Sequence, residues 1–250
     1  MKIAIVTGAS SGMGREFAKQ LPYFYKNLDE IWIIARRKER LVSLAVSKVI
    51  PYRVFEGDLL EDDVYECLED ALAKKTPEVR MLVNAAGYGK IGSFSSLSRN
   101  KAQEQLGMID LNCRALTRMI SLCLPYMESG SRIINIASAA AFCPQPGLAA
   151  YAASKSYVLS LSRALSFELK RREIYVTAVC PGPVDTEFFE VAGSIDNWLK
   201  KLVLADPVQV VRTALIDSRN KKDVSVYGTV MKAASIVTKI LPHHLVMKFF

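Results

Sequence analysis

The sequence predicts an α/β domain built on a doubly wound, seven-stranded parallel sheet with helices on both faces. Two observations carry that expectation: seven short, apolar, β-branched runs recur along the 250 residues, and amphipathic stretches separate them. A third is the glycine-rich turn Thr7-Gly8-Ala9-Ser10-Ser11-Gly12-Met13-Gly14, which follows the first run directly. Right-handed βαβ crossovers would then place ligand beyond the C-terminal ends of the strands, where the winding reverses.

The seven strands are expected at Ile3–Thr7, Ile31–Ala35, Tyr52–Phe55, Arg80–Asn84, Arg132–Ala137, Tyr175–Cys180 and Val224–Tyr227. Helices are expected at Glu61–Lys75, where Val64, Leu68, Ala71 and Leu72 share a side, and at Ser156–Lys170, with Val158, Leu161, Leu165 and Leu169. Pro22 is expected to shorten the first helix, leaving Tyr23 to Glu30 as a long approach to the second strand. No repeat or Pro/Gly-rich linker divides the chain, so residues 1–250 read as a single domain with a segment at 183–206 and a tail at 229–250 as its appendages.

Half the residues are hydrophobic and 23% are charged, which suits a large buried core. The net charge of +8 admits an anionic partner, yet lysines and arginines are mixed with acids, and no arginine-rich arm, zinc-finger spacing or RNP-like motif points to nucleic acid. Five cysteines at irregular spacing, with no Cys-x-x-Cys, read as core residues of a reducing compartment, and a cytoplasmic location is expected. His243 and His244 are the only histidines, so no metal site and no histidine-based nucleophile is expected. The uncharged stretch from Ile133 to Ser154 has the length of a membrane span, but Pro144, Gln145, Pro146 and Gly147 interrupt it.

The glycine turn places backbone N–H groups at a helix N-terminus, an arrangement that cradles a pyrophosphate. No Gly-Lys-Ser/Thr follows, which excludes a Walker loop. After the second strand stands Ile34-Ala35-Arg36-Arg37-Lys38 rather than an acid. A carboxylate there reads a ribose 2′-hydroxyl, whereas a guanidinium grips a 2′-phosphate. NADP(H) is therefore the expected cofactor, with Arg36 as the best single contact, Arg37 or Arg15 in support, and Lys38 and Arg40 as solvated surface.

Tyr151 and Lys155 are four residues apart in Tyr-Ala-Ala-Ser-Lys, so on a helix they share a face. A cation there is expected to favour the ionised phenol and bring Tyr151 into use as a proton donor and acceptor.

With the glycine turn, Asn84-Ala85-Ala86-Gly87, Asn112, Ser138, Tyr151-x-x-x-Lys155 and Pro181-Gly182 in that order, the chain resembles the short-chain dehydrogenase/reductase family over nearly its whole length. The resemblance implies a Rossmann-like fold in which Tyr151 exchanges a proton with the substrate oxygen and Ser138 orients that oxygen. It implies that Lys155 contacts the nicotinamide ribose and that Asn112 holds a relay water. It further implies cofactor contacts from Gly8, Ser10, Ser11, Gly12, Met13 and Gly14 in the turn, and from Asp58 and Leu59 at the adenine. Asn84, Ala85, Ala86 and Gly87 would line the adenosine side, and Pro181, Gly182, Val184 and Thr186 the nicotinamide side. Ala85 departs from the second asparagine that many members carry.

The segment 183–206 reads as a substrate lid, with Phe188, Phe189 and Trp198 joining Phe142 and Leu148 in an apolar wall. In the tail, Val230, Ala233, Ala234, Val237, Ile240 and Leu241 follow helical spacing, with Lys232, Lys239 and Lys248 as its basic residues. Packing on the domain or a second subunit is favoured there over weak peripheral contact with an anionic membrane. The expected function is reduction of a carbonyl compound by NADPH, or the reverse oxidation of an alcohol, by a homodimer or homotetramer. The alternatives are an NAD-linked dehydrogenase and a cofactor-binding protein without turnover.

Overall fold

A computed structural model describes residues 1–46, 49–188, 192 and 204–247. Seven parallel strands form one sheet in the order β3-β2-β1-β4-β5-β6-β7. They are β1 Lys2–Thr7, β2 Glu30–Ala35, β3 Tyr52–Glu56, β4 Glu78–Asn84, β5 Arg132–Ile136, β6 Tyr175–Val179 and β7 Val224–Ser225. The order runs outward from β1 in one direction and from β4 in the other, so the crevice between those two is where the winding reverses.

The period-2 pattern of the strands feeds two cores. On β1, Ile3 and Ile5 point into one layer with Trp32, Tyr65, Leu68 and Val158, whereas Ala4 and Val6 point into the other with Phe17, Leu21, Ile31 and Val211. The first layer is covered by α3 Asp63–Lys75, α5 Leu116–Cys123 and α6 Ala149–Glu168, and the second by α1 Gly12–Phe24, α2 Lys38–Ala45 and α7 Pro207–Arg219. Helix α4, Phe94–Ile109, passes through a π turn at Asp110–Ala115 into α5. The tail forms α8 Thr229–Ile240 and the short α9 His243–Val246. Among the described residues no helix is long and apolar enough to cross a membrane. The uncharged stretch from Ile133 to Ser154 instead supplies β5, a 3-10 turn and the start of α6.

Three expectations need correction. Helix α1 does not stop before Pro22 but runs through it to Phe24. Proline removes the N–H that would meet the Ala18 carbonyl, and the Tyr52 hydroxyl donates to that carbonyl at 2.8 Å instead. Strand β7 is only Val224–Ser225 because its neighbour β6 ends at Val179. The last cross-link is Cys180 N to the Ser225 carbonyl, and Pro181 then has no N–H to continue the ladder. Finally, α6 begins seven residues before the expected Ser156, so Tyr151 and Lys155 both lie in its first two turns.

Helix α8 lies over the cleft. Met231, Ala234 and Thr238 face the cavity beside Ser138 and Tyr151, while Val230, Val237 and Ile240 remain exposed. The sequence singled out the apolar spacing of this tail but not its position as a roof of the pocket.

Candidate active site

The loops after β1, β4, β5 and β6 converge on one cavity of about 540 Å³. Its lining runs from Met13 in the glycine turn past Ala85 and Gly87 to Ser138, Tyr151 and Lys155, with Pro181, Gly182, Val184 and Thr186 on the far side. One hydroxyl holds the central crevice together. Thr7 Oγ1, at the end of β1, accepts from the N–H groups of Ala85 at 3.1 Å and Ala86 at 3.2 Å, tying the glycine turn to the β4 loop. Sequence reasoning passed over Thr7; its signal was a hydroxyl residue at a strand end, just before the first glycine.

The cradle is built for close backbone approach. Gly8 has φ +67°, and a Cβ there would lie 2.8 Å from the Ala86 nitrogen. A Cβ on Gly14 would lie 2.3 Å from the Gly8 carbonyl oxygen. Ser11 is the N-cap of α1, yet its hydroxyl makes no capping bond to that helix; it accepts from Arg37 Nη2 at 2.6 Å instead. The first amides of α1 are thus left without a side-chain cap, at the positive end of the helix dipole. This donor set fits the diphosphate of a dinucleotide.

Around the expected adenosine end, Arg36 is largely exposed and reaches Asp58 at 3.5 Å, while Asp58 also accepts from Leu60 N at 3.1 Å. Leu59 is buried in the core, and its carbonyl accepts from Tyr65 Oη at 3.0 Å. Arg37, not Arg36, lies against the glycine turn, donating to Ser10 Oγ at 3.3 Å as well as to Ser11. Arg40, read from sequence as solvated surface, joins Arg37 on the carboxylate of Glu187. Lys38 pairs with Glu56 at 3.0 Å. Asn84 Nδ2 donates to Asn135 Oδ1 at 2.9 Å and Asn135 Nδ2 to Ser162 Oγ at 3.0 Å, a buried polar chain linking β4, β5 and α6.

At the expected catalytic end, Ser138 stands two residues after β5 in extended conformation and caps the following 3-10 turn, its Oγ accepting from Ala140 N at 3.1 Å. The Tyr151 phenol interacts with the same hydroxyl and lines the same cavity. Asn112 sits in the π turn, a helix form often found at functional positions. Its Oδ1 accepts from Tyr88 N at 3.0 Å, and its Nδ2 donates to the Tyr88 carbonyl and to Ser154 Oγ, both at 3.0 Å. The amide therefore clamps the β4 loop to α6.

The electrostatics differ from the sequence expectation. Burial pushes the Tyr151 phenol up to about 12, with only the Ser138 hydrogen bond pulling the other way. Burial likewise pushes Lys155 down to about 8. The ammonium donates to the Ile136 carbonyl at 2.8 Å and lies 5.8 Å from the centre of the Tyr151 ring. Desolvation disfavours the charged form of both groups, and at that separation the cation does not offset it for the phenol.

A stability experiment checks this. The unfolded chain keeps the Lys155 proton to about 10.5, whereas the folded chain releases it at about 8, so between those values the unfolded state binds more protons and stability rises with pH. Lys155→Met removes the effect. The stability difference between the two proteins is expected to shift toward wild type by up to about 3 kcal/mol between about pH 7 and about pH 10. Urea unfolding across that range reads it, and a difference that stays constant refutes the buried cation.

The segment expected to form a lid is fastened at its base. Val184 and Ala205 form an isolated parallel bridge, with Asp185 N donating to the Ala205 carbonyl and Ala205 N to that of Pro183, both at 2.9 Å. Phe188 packs against Tyr151 with ring centroids 5.5 Å apart, and Phe142 and Leu148 line the same cavity. Phe189 and Trp198, the other expected wall residues, lie outside the described residues.

Comparison with known proteins agrees with this geometry. The family model described as short chain dehydrogenase matches residues 2–195. An uncharacterised oxidoreductase of Staphylococcus epidermidis is 32% identical over 192 residues, 76% of this chain and 80% of that protein. The inactive hydroxysteroid dehydrogenase-like protein 1 of Homo sapiens is 33% identical over 193 residues, 73% of this chain and 56% of that protein. A short-chain dehydrogenase from Sphingobium yanoikuyae, solved in complex with NADPH, superposes with a TM-score of 0.78 at 25% identity, covering 97% of both chains. The chain belongs to the short-chain dehydrogenase family of oxidoreductases.

Proposed function

We propose that this protein is an NADP(H)-dependent reductase of apolar carbonyl compounds, with Tyr151 as the proton donor. The observation that carries the reading is the pairing of Ser138 with Tyr151, beside buried Lys155, in a cavity whose other walls are mostly apolar. At neutral pH a phenol pushed up to about 12 keeps its proton, which is the form a carbonyl reduction consumes. Ile91, Phe142, Pro146, Leu148, Phe188 and Met231 line the cavity around the pair with hydrocarbon.

The chain's own residues divide the work. Ser138 and Tyr151 converge on the position of a carbonyl oxygen, orienting it and stabilising charge that develops there. Tyr151 transfers its proton to that oxygen. Lys155, between the Ile136 carbonyl and the Gly87 loop, would hold the nicotinamide ribose, and Asn112 keeps that loop registered on α6. NADP(H) supplies the hydride when bound. Arg37 beside Ser10 and Ser11, with Arg40 sharing its Glu187 partner, supports the choice of the phosphorylated cofactor.

Titration of the purified protein with NADPH and NADH, followed by a panel of apolar ketones and aldehydes read as loss of NADPH absorbance, tests the proposal. Tighter binding of NADPH and turnover of at least one carbonyl are expected. Tight binding with no turnover across the panel would favour the non-catalytic reading, which the name of the inactive human relative keeps in view. Exposed Leu106 and Ile109 on α4, with Tyr157 and Phe167 on α6, support a homodimer or homotetramer paired through these helices, which sedimentation velocity reads directly.

A further inference from the structure

The glycine turn carries a ready-made anion site, and a residue of the lid occupies it. Glu187 places Oε2 3.0 Å from Arg37 Nη1 and Oε1 against Arg40 Nη1. The same Arg37 guanidinium donates to Ser10 Oγ and Ser11 Oγ. These partners come from distant parts of the sequence, 150 and 147 residues from Glu187, so no local helical spacing accounts for the contact. Burial alone would raise the Glu187 carboxyl, but the hydrogen bonds and charges of the two arginines outweigh it and hold the group below the usual carboxylate range.

We propose that Glu187 is a cofactor-specificity residue: its carboxylate fills the Arg37–Arg40 site of the free chain, and the 2′-phosphate of NADP(H) displaces it. The inference rests on the NADP(H) reading above and goes beyond it by naming the group the phosphate must replace. Charge balance is the reason for exchange rather than sharing. Two guanidiniums match a phosphate of about −1.5 to −2, and a carboxylate kept beside that phosphate would meet like charge at close range. A phosphate also offers more acceptor oxygens to the two guanidinium forks and the two serine hydroxyls. NAD(H) presents only a ribose hydroxyl, so it leaves Glu187 in place.

The exchange has a structural consequence for the substrate side. Glu187 is followed directly by Phe188, which packs on Tyr151, and preceded by Thr186, which lies over Gly12. Releasing Glu187 therefore frees the stretch that lies between the adenosine end and the catalytic phenol. Arg37, Arg40 and Glu187 are each more than a third exposed at the side chain, so the ion pairs themselves contribute little stability, and the competition is readable in cofactor affinity.

The test compares wild type with Glu187→Gln at low ionic strength, where such charges are least screened. NADPH affinity is expected to tighten by about three- to ten-fold in E187Q, with NADH affinity unchanged, and 2′-AMP to follow NADPH while 5′-AMP follows NADH. The fold change should shrink as salt is raised. If both cofactors tighten equally, or NADPH affinity does not move while wild type still prefers NADPH, Glu187 has no such role and the NADP(H) reading stands. If wild type prefers NADH, both fall together.

Discussion

Replacing Tyr151 by Phe is expected to lower kcat by roughly 10²–10⁴-fold while leaving the dissociation constant of NADPH within about two-fold of wild type. The substitution deletes one oxygen and leaves the ring in place, so the pocket keeps its shape, and Phe188 and the Lys155 ammonium keep their aromatic partner. Ser138 loses the neighbouring phenol but still accepts from Ala140 N. Structure and cofactor affinity should therefore survive, and the deficit should appear in single-turnover oxidation of NADPH rather than in KM. A variant that turns over at the wild-type rate would remove Tyr151 from the chemistry and transfer the proton to another group.

A second large effect is expected at Gly14. A methyl group there would lie 2.3 Å from the Gly8 oxygen, 2.7 Å from the Gly8 carbonyl carbon and 3.0 Å from the Thr7 oxygen, all of them backbone. No side-chain rearrangement relieves such contacts, so the first turn of α1 must move away from β1, taking its free amides with it. NADPH affinity is expected to fall by about 10²-fold or more in Gly14→Ala, a loss of about 3 kcal/mol. Gly12→Ala supplies a graded comparison. Its Cβ would meet only Thr186 at 3.5 Å, and the strain comes from φ +50°, a cost of about 1–2 kcal/mol. Fluorescence titration should rank the two accordingly, with circular dichroism confirming that both fold. Equal affinities would mean that the turn does not approach the cofactor as built.

Much of this site was legible in the chain because each motif stands at the end of a strand, and parallel winding brings strand ends together. The glycine turn, Asn84, Ser138 and Pro181 needed only that rule to meet. Side-chain direction was a different matter. Arg36 and Arg37 are adjacent in sequence and equal in composition, but Arg37 reaches Ser10 and Ser11 while Arg36 reaches Asp58. Spacing placed Lys155 beside Tyr151 without showing that its ammonium hydrogen-bonds the Ile136 carbonyl or that burial would dominate both groups. Pro22 misled for a related reason. Its effect on a helix depends on whether the orphaned carbonyl finds a donor, and that donor is a tyrosine thirty residues later.

The bridge between Val184 and Ala205 separates what must stay constant from what is free to change. With Val184 and Ala205 fastened to each other, the number of residues between such joined ends weighs little on folding, since each doubling of a loop's length costs only about 0.6 kcal/mol. Length added or removed after Phe188 leaves that fastening, and with it Thr186 over Gly12 and Phe188 on Tyr151, in place. The clasp makes the scaffold a natural starting point for grafting new straps between positions 188 and 204.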